Sequence, residues 1–211
     1  LKTILKSILK TAVSFAFKVK VSGALQEVQC HDRTILVANH ASWLDGLLLA
    51  TFLPVEPVFV VYKGLLGNFA FRNALKLVDY LPVDSTSPMA MKKVVQLIRQ
   101  GRPVVVFPEG RLTTTGTLMK VYEGTSFAAS RSNATIVPIR IKGAAYSRLT
   151  RLGGFHPRHW FPAISLTVLP GQVLPANEGL PTKKRRKLAA EDMRHLLQDM
   201  LSKTEDKLSL Y

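Results

Sequence analysis

One cysteine, Cys30, stands among 211 residues, which rules out an intrachain disulfide and suits a reducing compartment. Long apolar runs are also missing. The best, Leu47 to Val61, is interrupted by Pro54, Glu56 and Pro57, and falls short of the roughly 18 apolar residues of a spanning helix. No small-residue cleavage site follows the apolar N-terminal stretch, so it is not read as a secretory signal. Cys30 beside His31, and His156 near His159, have neither a second cysteine nor a closely spaced carboxylate to complete a ligand set, and no metal site is expected. Acidic residues are scarce as well: 14 against 29 Lys and Arg, a net charge of +15. The first is Glu27, after Lys2, Lys6, Lys10, Lys18 and Lys20, and none occurs between Glu123 and Glu178. An excess of this kind calls for an anionic partner: a bilayer, a nucleic acid or an acidic protein.

The composition that remains is that of a folded domain, 47% hydrophobic and 20% charged. Leu1, Ile4, Leu5, Ile8, Leu9 and Ala12 fall on one helical face, with Lys2, Lys6 and Lys10 on the other. Such a helix can lie in a bilayer interface with its lysines at lipid phosphates, or pack on the core as an ordinary surface helix. Val19 to Val28 alternates loosely, as an entry strand. Thr34 to Ala38, Pro57 to Tyr62 and Pro103 to Phe107 are apolar runs typical of buried strands, with a brief strand at Leu81 to Val83. Helical patterns cover Ser42 to Leu53, Leu65 to Val78, Pro88 to Gln100, Glu123 to Ser132 and Leu188 to Leu201. Strands at Thr135 to Ile141 and Ile164 to Val168 complete the pattern. The alternation predicts a single α/β domain at 29–211, a mostly parallel sheet flanked by helices, preceded by an amphipathic segment at 1–28.

Two loops carry chemistry-bearing residues just beyond predicted strands, where open α/β sheets place their sites. The first is Asn39-His40-Ala41-Ser42-Trp43-Leu44-Asp45. A histidine titrates near neutrality and can take a hydroxyl's proton, and an aspartate on its other nitrogen fixes the tautomer. The five-residue spacing works if His40 is in the loop and Asp45 in the first turn of the helix. Ser42 and Asp45 also match the capping box of a helix start. The second is Phe107-Pro108-Glu109-Gly110-Arg111, followed by Leu112 and three threonines. Such a loop can hold a phosphate through backbone N–H groups and the guanidinium, and Glu109 can bind a substrate hydroxyl or hold the loop itself.

In this order and spacing the two segments resemble the glycerolipid acyltransferase family, with its N-H-x4-D and F-P-E-G blocks. Leu81 to Ser85 stands in the place of that family's second block, and Ile136 to Ile139 in that of its fourth. The resemblance spans Val19 to Pro170. The wording of Phe107 to Lys120, Pro88 to Met91 and Gly101 to Val105 is similar to the acyltransferase half of bacterial bifunctional 2-acylglycerophosphoethanolamine acyltransferase/acyl-carrier-protein synthetases.

The resemblance implies a general base, His40, oriented by Asp45, with Glu109, Gly110, Arg111 and Ser85 at the acceptor and no cofactor, because a thioester is already activated. It implies acyl transfer from acyl-carrier protein or acyl-CoA to a lysophospholipid at the cytoplasmic face of the bacterial inner membrane. A fused acyl-activating ligase domain and a lysophospholipid transporter are the expected neighbours, and a start at Leu1 fits excision from such a protein. Ser85 and the pair Arg111-Leu112 stand where many lysophosphatidate acyltransferases have Arg and Thr-Arg. That departure favours lysophosphatidylethanolamine over the alternative, lysophosphatidate. The acid-free stretch with Arg148, Arg151 and Arg158 is expected to meet an acidic carrier protein. A nucleic-acid-binding module fits the charge but explains neither loop, so nucleic acid is not expected as a partner.

Overall fold

The computed structural model describes residues 2–84, 88–153, 158–175 and 179–203. Its central strand is β2 (Thr34–Ala38), buried at every position. Beyond it in the chain come α2 (Leu44–Phe52), β3 (Val58–Tyr62), α3 (Phe69–Leu75), β4 (Asp79–Val83), α4 (Pro88–Arg99), β5 (Val104–Val106), α5 (Glu123–Ser132) and β6 (Thr135–Lys142). Ahead of it stand α1 (Lys2–Phe17) and β1 (Lys20–Gly23), and the chain closes with β7 (Ser165–Val168), β8 (Gln172–Val173) and α6 (Thr182–Lys203). The sheet order is β1-β7-β6-β2-β5-β3-β4, with β8 also on β6. Pairs from β6 through β4 are parallel, and β7 and β8 run antiparallel to β6.

The pleat of β2 sends alternate residues to opposite faces. Leu36 and Ala38 join one core with Val13 and Phe17 of α1 and Leu48 and Leu49 of α2. Ile35 and Val37 join the other with Val94 and Ile98 of α4, Ala128 of α5 and Met193 of α6. The sheet is thus covered on both faces, which is why its strands read as continuous apolar runs.

Several elements differ from the sequence pattern, each for a local reason. Leu65 to Val78 is not one helix: a 3₁₀ segment (Lys63–Gly67) precedes α3, because the Asn68 side chain accepts from Phe71 N at 3.1 Å and restarts the helix as its N-cap. The entry strand stops at Gly23, whose φ of 88° brings it against Val168 O so closely that a Cβ would collide, and a 3₁₀ turn (Leu25–Val28) follows. The last helix begins at Thr182 instead of Leu188, taking in the basic run, which has helix propensity but no apolar period. The two-residue β8 carries no readable pattern.

In α1, Val13 and Phe17 are buried, whereas Ile4, Leu5, Ile8 and Phe15 face outward, Phe15 at 89% exposure. Lys6 is half-buried, and Lys10 lies 5.7 Å over the Phe52 ring. No described helix is long and apolar enough to cross a membrane.

Candidate active site

Adjacent parallel strands β2 and β5 end at the same edge of the sheet, and both loops leave from there. Asn39 makes the exit. Its Nδ2 donates to Ile141 O at 2.9 Å and its Oδ1 accepts from Ile141 N at 2.8 Å, so a side chain continues the ladder to β6 while the main chain turns away.

His40 follows in the loop, with Asp45 in the first turn of α2. His40 Nδ1 lies 2.9 Å from Asp45 Oδ2, which also accepts from the backbone N–H of Ala41 at 2.7 Å and of Ser42 at 2.9 Å. An oxygen gathering backbone donors is a carboxylate acceptor, so the contact suits a ring proton on Nδ1, the arrangement that in a neutral imidazole leaves the lone pair on Nε2. The Asp45 side chain is fully buried and His40 remains 17% exposed. The imidazole stacks on Phe107 with centroids 4.0 Å apart and planes at 16°, which fixes the ring plane from the second loop. Ser42 Oγ accepts from Leu44 N at 3.2 Å. Helix start and histidine orientation are therefore not rivals here, because one carboxylate oxygen serves both.

Glu109 is buried, at 2% exposure. Its Oε1 accepts from His40 N at 3.3 Å and its Oε2 from Met119 N at 2.9 Å, so both oxygens tie loops together. Burial raises its pKa above the usual carboxylate range, against the opposing pull of those two backbone N–H groups and of His40. Thr113 N adds a bond to His40 O at 2.8 Å. Gly110 turns the loop at φ 65°, its N–H bonded to Phe107 O at 2.9 Å. Arg111 is exposed and Leu112 is buried. Ser85 lies outside the described residues, as does the side chain of Lys2.

A third segment, unmarked by any motif, completes the framework. Ser147 Oγ meets Ser42 Oγ at 2.9 Å, Leu149 O accepts from Trp43 N at 2.9 Å, and Thr150 Oγ1 donates to Ala41 O at 2.7 Å. Gly153 N reaches Thr114 O at 2.9 Å, so residues 147–153 bridge both loops. The arginines around it are spread over separate contacts: Arg148 over Trp160 at 4.6 Å, Arg151 over Trp43 at 5.5 Å, and Arg158 donating to Leu152 O at 3.0 Å. At the far end of β2, Glu27 Oε2 lies 2.9 Å from His31 Nε2, and Cys30 Sγ lies 3.3 Å from the same nitrogen. The sequence reading missed Glu27 as a neighbour of that pair. Hydrogen bonds from His31 and from the Gly171 N–H hold the Glu27 pKa below its usual range.

The acyltransferase family profile matches residues 18–142, more than half of the chain. The chain belongs to the acyltransferase family. Among this acyltransferase's relatives is the 1-acyl-sn-glycerol-3-phosphate acyltransferase of Bacillus subtilis (strain 168), 26% identical over 138 residues, which cover 64% of this chain and 68% of that protein. The enzyme of the same description from Cocos nucifera is 27% identical over 116 residues, 53% of this chain and 38% of the relative. The chain spans less than half the length of the plant relatives it matches first, 38%, 47% and 41%. The crystal structure of the 1-acyl-sn-glycerophosphate (LPA) acyltransferase PlsC from Thermotoga maritima superposes with a TM-score of 0.64 at 17% identity, covering 94% of this chain and 81% of that one. The mostly parallel sheet flanked by helices is thus a shared fold.

Proposed function

We propose that this acyltransferase moves a fatty acyl group from a thioester to the free hydroxyl of a lysophospholipid, with lysophosphatidate as the first acceptor. The observation that carries the reaction is the 2.9 Å contact between His40 Nδ1 and the buried Asp45 carboxylate, which leaves Nε2 free at the catalytic edge. His40 Nε2 takes the proton of the acceptor hydroxyl as its oxygen attacks the thioester carbonyl. The tetrahedral intermediate expels the thiolate, and the imidazolium returns the proton to sulfur. Asp45 stabilises the imidazolium between these steps, and Arg111 reaches the acceptor's phosphate from the rim. The acceptor follows the names of the relatives, each called a 1-acyl-sn-glycerol-3-phosphate acyltransferase.

A second reading, transfer from acyl-carrier protein to lysophosphatidylethanolamine, is favoured by Leu112. Its side chain is buried at the position where the family resemblance leads one to expect an arginine in a phosphatidate-forming enzyme, so this position supplies no cation for a phosphomonoester. That reading also brings the fused ligase domain and the transporter. A competition assay with both acceptors at equal surface concentration in micelles separates the two. Preference for lysophosphatidate supports the first, and preference for lysophosphatidylethanolamine replaces it with the second. Acylation of neither would overturn both.

Attachment is proposed at the cytoplasmic face of the membrane through α1. Its outward Ile4, Leu5, Ile8 and Phe15 form an apolar stripe that a bilayer interface would cover, with lysines near the lipid phosphates.

A further inference from the structure

On the face of the sheet opposite α1, helices α4, α5 and α6 enclose a groove of about 900 Å³. Each helix contributes one stripe at helical spacing. Lys92, Val95, Gln96 and Arg99 come from α4; Phe127, Ser130 and Arg131 from α5; Thr182, Arg185, Arg186 and Ala189 from α6. Five cations line it, Lys92, Arg99, Arg131, Arg185 and Arg186, and no Asp or Glu does so among the described residues. The catalytic loops contribute nothing to its lining.

Two of the cations are already held in position. The Arg186 guanidinium lies 5.0 Å over the Phe127 ring, and Arg99 Nη2 donates to Arg131 O at 2.7 Å, at the end of α5. Ordering them costs little further entropy when a ligand arrives. The apolar members of the lining form its floor: Val95 and Ala189, both buried, and half-buried Phe127 beside the Arg186 guanidinium.

We propose that this groove docks an acidic amphipathic helix of a soluble protein partner. An apolar floor between two cationic walls complements a helix with an apolar stripe flanked by carboxylates, the usual arrangement of helix-in-groove recognition. Nucleic acid needs cations but has no use for the floor. A bilayer that covers the outward stripe of α1 faces the other layer of the fold, so the groove is turned away from it; this step rests on the proposed attachment through α1. The surface lies apart from His40 and adds a second recognition site to the acyltransferase.

The test uses the full chain and a fluorescent synthetic helix of leucine and glutamate, with a scrambled peptide of the same composition, an oligonucleotide and anionic vesicles as comparators. The ordered helix is expected to bind more tightly than the scrambled one. The pair Lys92→Glu and Arg185→Glu, one change on each wall, should weaken it roughly tenfold or more, since like charges brought together across an interface cost several kcal/mol. Lys183→Glu with Lys184→Glu makes the same charge change outside the groove and should cost much less. Circular dichroism checks the fold, and acyl transfer to a micellar acceptor should be unchanged in both pairs. Equal binding of the scrambled peptide, or equal losses in the two pairs, would overturn the proposal. So would a wall-pair defect confined to oligonucleotide or vesicle binding. Loss of acyl transfer in His40 variants tests the catalytic reading independently.

Discussion

The two loops leaving the shared end of β2 and β5 each bury a carboxylate, and the two carboxylates hold different partners. Asp45 gathers three donors from within five residues: His40 Nδ1, Ala41 N and Ser42 N. Glu109 gathers one donor 69 residues away, His40 N, and another ten residues away, Met119 N. The first carboxylate is local and holds one imidazole ring. The second is non-local and clamps one loop to another. Buried acids at the same edge can therefore be an orienting group and a structural tie, and their donors tell them apart.

The sharpest way to break this contrast is Asp45→Asn. An amide no longer enforces the Nδ1–H tautomer, so turnover should fall by ~10²–10⁴-fold while the variant keeps its native circular dichroism. A loss of only a few-fold would deny Asp45 its orienting role. Glu109→Gln should act chiefly on stability. A glutamine offers one acceptor oxygen to two backbone donors, and stranding one of them costs roughly 1–3 kcal/mol in urea unfolding. The pH dependence sharpens this further. Burial raises the Glu109 pKa in the folded state, so its contribution to stability is fully present below the usual carboxylate range and is lost as pH rises through the raised value. The deficit of Glu109→Gln should accordingly be larger in acid than at neutral pH, and the opposite trend would contradict the direction of that shift.

Arg111→Ala removes an exposed cation from the second loop without touching the clamp. It should raise KM for a phosphate-bearing acceptor roughly tenfold with kcat nearly unchanged, the size of one charge-assisted hydrogen bond. Equal effects on kcat and on kcat/KM would place Arg111 in the transition state instead. The smallest expected effect is at α1, remote from both loops. Lys6→Glu and Lys10→Glu should each weaken partitioning to anionic vesicles by about fivefold, from ~1 kcal/mol per basic residue near the surface, and salt should mimic the loss. Unchanged partitioning would show that these lysines do not face lipid, Lys10 serving the packing of α1 on Phe52 instead.

Much of this was legible in the sequence because it is local. The apolar runs of β2, β3 and β5 announce strands buried on both faces, and the strand ends marked the loops of His40, Asp45 and Glu109, whose spacing left their roles open until the family resemblance was added. What was hidden is long-range or shared. Asn39 acts as a rung of the sheet to Ile141, 102 residues away. Residues 147–153 brace both loops through backbone atoms and single hydroxyls, which leave no pattern. The same Oδ2 of Asp45 holds the backbone entering α2 and the histidine ring, so the sequence could only pose two readings that the structure merges. The stripes lining the groove are similarly scattered over three helices, and the basic run of α6 had no apolar period to mark it as helical.

The central assignment is best tested by the turnover of purified His40→Ala with an acyl thioester and a lysophospholipid, read as acylated product by mass spectrometry beside the wild type. If the imidazole takes the hydroxyl's proton as proposed, turnover should drop by at least ~10²–10⁴-fold with the fold intact. Near-normal turnover in a folded His40→Ala protein would contradict the assignment of His40 as the general base.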